Sequence, residues 1–107
     1  MIGIYKITNL INGKSYIGKA VDIKRRWAEH KSHSFSPIHA SYNYAIHRAI
    51  RKYGIENFSF EILEECDESQ LNGREIFWVD KLDTQENGYN MTPGGDSSAN
   101  DWDRRIE

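Results

Sequence analysis

The run Gly3-Ile4-Tyr5-Lys6-Ile7-Thr8-Asn9-Leu10-Ile11-Asn12-Gly13-Lys14-Ser15-Tyr16-Ile17-Gly18 decides how the chain begins to fold. Residues 2–7 are mostly β-branched or aromatic and read as a strand. Asn12-Gly13 is a turn signal, because both residue types accept positive φ. Ser15-Tyr16-Ile17-Gly18 then reads as the returning strand of a hairpin. If residues whose numbers total 21 pair across it, Tyr5 faces Tyr16 and Ile4 faces Ile17, so both tyrosines share one face. A tighter turn centred on Asn12-Gly13 breaks that pairing, so the register stays open.

Beyond the hairpin the hydrophobic period changes from two to that of a helix. Asp22 is placed to cap a first helix, on which Ile23, Trp27 and Lys31 share a face. Ser32 to Pro37 reads as a loop. A second helix is expected over about 40–53, with Tyr42, Ile46, Ala49, Ile50 and Tyr53 as its apolar stripe and Gly54 past its end. Phe58, Phe60 and Ile62 alternate with polar residues, which predicts a half-buried strand over 57–64. A third helix starts at Asp67 or Ser69 and runs to about Leu82, weakened by Gly73 within it. Gly88 to Met91 reads as one more short strand, and the residues after Gly95 as a polar tail or the start of a linker. The order ββααβαβ predicts an α+β domain over residues 1–95, with a small antiparallel sheet flanked by helices, and a tail over 96–107.

Composition narrows what such a domain does. At 107 residues the chain holds one domain with a modest core. It has no apolar run of ~18 residues, the length a membrane helix needs, and Met1 to Lys6 lacks the features of a signal peptide. A single cysteine, Cys66, excludes an intrachain disulfide and argues against a structural zinc site. A reducing cytoplasm is the expected compartment. Net charge is −2, yet residues 1–53 hold ten lysines and arginines against two acids, while the remainder holds four against fourteen. All four histidines lie in the basic half. This asymmetry suggests a surface for a polyanion, with Lys14, Lys19, Arg25, Arg48 and Arg51 as candidate contacts to it. The plainer alternative is that the acids fold back among the bases.

Three groups of side chains stand out chemically. Glu75 falls in the middle of the face that Leu71, Trp78, Val79 and Leu82 share. An inward carboxylate needs a cation or hydrogen-bond donors: either a buried arginine such as Arg26, or a divalent metal such as Mg²⁺, which takes one or two carboxylates plus water and phosphate oxygens. Arg26 and His30 are neighbours at i and i+4, suited to holding a phosphate and moving a proton, or forming no more than a solvated helix face. Tyr5 and Tyr16 are a packing pair, or phenols that orient an attacking water.

Taken together, these blocks resemble a known family. Gly3-Ile4-Tyr5 and, ten residues later, Tyr16-Ile17-Gly18 resemble the signature of the GIY-YIG nucleases. Arg26-Trp27 with His30, Arg74-Glu75-Ile76-Phe77-Trp78, Gly88-Tyr89-Asn90 and Pro93-Gly94-Gly95 follow in the family's order. The resemblance spans about residues 2–95 and implies a three-stranded antiparallel sheet with helices around it. It implies one divalent metal, Mg²⁺ or Mn²⁺, held by Glu75, with Tyr5, Tyr16, Arg26, His30 and Asn90 lining the site. It also implies hydrolysis of a DNA phosphodiester, in a mobile-element or phage setting. Gly73 departs from the pattern, where a good helix former is expected. The competing readings are a non-catalytic nucleic-acid-binding module of the same fold and a repair or restriction nuclease. No reader module for target sequence is evident, so a further domain or partner is expected to supply specificity, with the domain acting as monomer or transient dimer.

Overall fold

Strand β1 (Gly3–Asn9) is the middle of the sheet, and the other two strands pair to either side of it. In the computed structural model, residues 1–95 are described, and the expected tail over 96–107 lies outside them. Strands β2 (Ser15–Ala20) and β3 (Phe58–Glu65) both run antiparallel to β1, giving the order β2-β1-β3.

The hairpin register differs from the simple facing of tyrosines. Asn9 and Lys14 close the loop, with the Asn9 N–H donating to the Lys14 carbonyl at 2.8 Å, so the loop is Leu10 to Gly13, tighter than the facing of tyrosines requires but centred on Ile11-Asn12 and not on Asn12-Gly13. The Asn9 and Asn12 side chains each accept from a backbone N–H two residues on, which fixes it. Consequently Tyr5 pairs with Gly18, Ile7 with Tyr16, and Ile4 with Lys19. The shift is by two positions, so the faces survive: Tyr5 and Tyr16 are diagonal neighbours with ring centroids 6.3 Å apart.

This register explains both glycines of the tripeptides. The Tyr5 ring lies across Gly18, where a Cβ would stand 2.2 Å from Tyr5 Cζ. A Cβ on Gly3 would meet the Glu64 carbonyl oxygen at 2.1 Å. There β3 has a bulge: Tyr5 pairs with Ile62 but Ile4 with Glu64, leaving Leu63 as the extra residue.

One face of the sheet packs against two helices, α1 (Ile23–His33) and α2 (Ala45–Tyr53). Its core holds Tyr5, Ile7, Tyr16, Ala20, Ile23, Ile46, Ala49, Ile50 and Phe58. The Asp22 side chain caps α1 by accepting from the Arg25 N–H at 3.1 Å. The buried stripe of α1 is not the expected one. Ile23, Arg26 and His30 are buried, Trp27 is half-buried against Phe60, and Lys31 is exposed. Helix α2 begins at Ala45, later than the expected residue 40. Residues 40–44 form turns instead, in which Ser41 bonds to the His39 ring at 2.8 Å.

The other face packs against α3 (Leu71–Leu82), through Ile4, Ile17, Leu71 and Val79. Asp67 and Gln70 form a reciprocal capping box on the 3-10 turn that leads into α3. Gly73 lies within this helix, with open space where its Cβ would be. Asp83 adopts φ 53° and ends the helix, and a four-residue helix, α4 (Thr84–Asn87), follows.

Gly88 to Met91 is not a strand. It runs beside the open edge of β2, joined by one backbone bond, Tyr89 N–H to Ser15 carbonyl at 2.8 Å, and by the Asn90 side chain. The amide of Asn90 does what a fourth strand would do with its backbone, so no ladder is needed. No helix among the described residues is long and apolar enough to cross a membrane.

Candidate active site

The site forms at the β2 edge, where side chains from both faces of the sheet come together. Tyr5 and Tyr16 stand on the α1 face, and α1 brings Arg26 and His30 beneath them. Arg26 and His30 are 0% and 1% exposed, so they are not a solvated helix face. The arginine's Nε lies 3.5 Å from Glu29 Oε1. The His30 ring meets both phenols, with centroids 5.6 Å from Tyr5 and 5.5 Å from Tyr16.

The polar atoms of this group form a continuous line. The Tyr5 hydroxyl lies 2.6 Å from His30 Nε2, and His30 Nδ1 lies 2.7 Å from His47 Nε2. His47 Nδ1 is 2.7 Å from the Ser41 carbonyl oxygen. On the outer side, the Tyr16 ring lies beside Tyr5, with centroids 6.3 Å apart. Tyr16 is 9% exposed and Tyr5 fully buried, so Tyr16 is the phenol nearer to solvent.

Burial holds every member neutral. It raises both tyrosines above the ordinary phenol range, with Tyr16 adding to the rise at Tyr5 and Glu75 to the rise at Tyr16. The Arg26 charge opposes the rise at both. Burial pushes His30 well below the usual imidazole range, helped by His47, Arg26 and His33. His47 is pushed down to about 4 by burial, against the bond to Ser41.

Glu75 reaches the site from α3 and is 2% exposed. Its partner is not the arginine expected of a purely structural carboxylate. Glu75 Oε1 accepts from the Gly95 N–H at 2.8 Å and lies 3.7 Å from Lys19 Nζ. Lys19 also donates to Asn72. Burial raises the Glu75 carboxyl above its usual range, opposed by the Gly95 N–H and by Lys19. Asn90 fixes the strand between these groups: its Oδ1 accepts from Ile17 N–H and its Nδ2 donates to Ile17 carbonyl, both at 2.8 Å.

A divalent cation fits this donor set. Among the described residues no group of three His, Cys, Asp or Glu could enclose a metal. Glu75 therefore offers one carboxylate, and Oε2 is the oxygen a cation would take, since Oε1 serves Gly95 and Lys19. A hard ion that keeps most of its water and uses phosphate oxygens, as Mg²⁺ does, suits one carboxylate.

The candidate DNA contacts divide. Lys14 and Arg48 are exposed and Arg25 half-buried. Lys19 is buried beside Glu75, so it belongs to the site and not to an outer cationic surface. Arg51 is turned inward: Nη1 donates to the Ser34 and Tyr42 carbonyls at 2.9 and 2.7 Å, and the guanidinium lies 3.7 Å from the Tyr42 ring centroid. It pins the 34–42 segment to α2. His47 was not among the sequence candidates, because it adjoins the apolar stripe of α2 and carries no motif.

Known proteins match this arrangement. The sequence fits the model of the GIY-YIG catalytic domain over residues 1–90. Intron-associated endonuclease 1 of Enterobacteria phage T4 is 36% identical over 91 residues, spanning 83% of this chain and 36% of its own length. Putative endonuclease segE of the same phage is 39% identical over 95 residues, spanning 86% and 41%. The solved catalytic domain of the homing endonuclease I-TevI superposes with a TM-score of 0.75 at 34% identity, covering 86% of this chain and 99% of that one. The chain thus spans about four-tenths of the length of the curated relatives it matches, and nearly all of a solved catalytic domain. With its tripeptides on adjacent strands and its glutamate on the opposing helix, this chain belongs to the GIY-YIG catalytic domain family.

Proposed function

We propose that this domain hydrolyses a DNA phosphodiester at a single site, with one divalent metal, Mg²⁺ or Mn²⁺, held by Glu75. The observation that carries the reading is the convergence of a buried carboxylate with two neighbouring phenols, a buried arginine and a histidine at one strand edge. A binding module gains nothing from desolvating a carboxylate beside a phosphate. The names of the relatives, endonucleases of phage and intron origin, support a mobile-element or phage setting.

When bound, the metal supplies Lewis acidity at the scissile phosphate and at the leaving oxygen. Glu75 holds it, and the Gly95 N–H and Lys19 favour the charged form of that carboxylate against burial. Tyr16, the outer phenol, orients the attacking water and takes its proton as the Tyr16 proton passes inward to Tyr5. Tyr5 in turn delivers its own proton to His30 Nε2, so His30 is the base that receives the charge. The buried Arg26 guanidinium offsets the negative charge that grows on the phosphate. Asn90 keeps β2, and with it Tyr16, in place. Lys14 and Arg48 contact the phosphate backbone from the surface, and sequence choice comes from another domain or a partner.

The test is nicking of supercoiled plasmid in Mg²⁺, Mn²⁺ or EDTA, beside Glu75→Ala. Metal-dependent nicking that Glu75→Ala abolishes is the expected result. Wild-type cutting by purified Glu75→Ala would overturn the assignment.

A further inference from the structure

His47 touches neither the phenols nor the carboxylate, yet it decides which way the buried line of hydrogen bonds runs. The line ends on the Ser41 carbonyl oxygen, which only accepts. His47 Nδ1 must therefore carry a hydrogen. Buried, and facing His30 and His33 of α1, His39 of the turn segment, Arg51 of its own helix and the Tyr44 ring, His47 is neutral near pH 7. Its Nε2 is then bare and accepts from His30, which places the His30 hydrogen on Nδ1. That leaves His30 Nε2 bare, 2.6 Å from the Tyr5 hydroxyl. The phenol is the donor there, so its oxygen keeps lone pairs free to accept on the side where the Tyr16 ring lies, centroids 6.3 Å apart.

We propose that His47 is a positioning residue for the cleavage reaction, which fixes His30 as the Nδ1–H tautomer and so keeps His30 Nε2 open to the proton arriving from Tyr5. The inference rests on the nuclease reading given above. Without an acceptor at His47 Nε2, His30 is free to carry its hydrogen on Nε2. Tyr5 would then face a donor, and the inward path of the proton would close. The same ring also gives the His30 imidazolium, once formed, a neutral acceptor for its Nδ1–H. No covalent bond other than O–H and N–H changes along this line: Tyr16 and Tyr5 each give one proton inward and receive one from outside, and His30 takes up one at Nε2 while keeping its Nδ1–H on His47.

The experiment has two arms on the full chain. Long-range ¹H–¹⁵N spectra of the histidine rings read the tautomers directly. The expected result is Nδ1–H for both His30 and His47 at neutral pH, and an Nε2–H form of either overturns the proposal. Cleavage kinetics then compare His47→Leu, which removes the acceptor, with His47→Gln, whose amide oxygen can accept from His30. His47→Leu is expected to lower kcat by roughly tenfold to a hundredfold at unchanged KM, and to alter the pH profile of kcat. His47→Gln restores most of that loss. Wild-type kcat and pH profile in His47→Leu overturn the proposal. Should His47→Leu fail to fold, the spectra and the glutamine variant decide. A wild-type chain that shows both Nδ1–H tautomers but cuts in no metal overturns the nuclease reading and leaves the tautomer assignment standing.

Discussion

The Asn90 side chain satisfies both backbone groups of Ile17, accepting from its N–H and donating to its carbonyl at 2.8 Å each. Both residues are buried, so neither Ile17 group is easily rescued by water. Asn90→Ala leaves two polar groups unmet and should cost about 1–3 kcal/mol for each that stays dry. Asn90→Asp should be no better at neutral pH, because its carboxylate faces the Ile17 carbonyl with nothing to donate. Thermal melts of both variants check this. Wild-type melting in Asn90→Ala would show that the bonds are replaced by water.

Arg51 and Arg48 sit on the same helix and should separate cleanly by assay. Arg51 ties two carbonyls of the 34–42 segment to α2, so Arg51→Ala should lose about 1–3 kcal/mol of stability. Exposed Arg48 should matter to binding alone. Arg48→Ala should weaken DNA affinity and lower the salt dependence by about one counterion, at unchanged melting temperature. Gel-shift titrations across ionic strength, beside melts, read both. A large salt-slope change in Arg51→Ala would place its guanidinium on the DNA.

Stability should fall on mild acidification. His30 and His47 both bind protons less readily folded than unfolded, because burial disfavours their charged forms. Their contribution is complete above the ordinary value of 6.5. For His47 it is lost as pH falls from there to about 4, since the unfolded chain then takes up the proton first. Glu75, with its carboxyl raised, opposes this at the acidic end of the window. Urea midpoints from neutral pH down to about pH 5 should decline, and His47→Gln should flatten the decline. A midpoint flat across that range would mean that the histidines titrate normally.

Much of this was readable from residue types. The two strands of the hairpin, the Asp22 cap, the third strand with its inward Phe58 and Phe60, and the inward Glu75 each follow from a local rule, whereas Ile62, expected on the same face, is exposed. The register did not, because it depends on where a four-residue loop closes, and Leu10 and Ile11 carry no turn signal. Residues 88–91 were misread as a strand because extended composition says nothing of whether backbone or side chain makes the pairing. Lys19 read as a surface cation, since its burial depends on Glu75 and Asn72 arriving from α3. His47 escaped because a buried histidine is defined by its partners, and those are 17 residues away on α1.

The placement of Glu75 on one side of the sheet, and of the tyrosines, Arg26 and His30 on the other, has a consequence for the cell that makes such a protein. Neither layer alone brings the carboxylate to the phenols. A partly unfolded chain that has docked only α1 and α2, or only α3, carries every required residue and yet no assembled centre. On the proposed reading, cutting competence is thereby tied to completion of the fold.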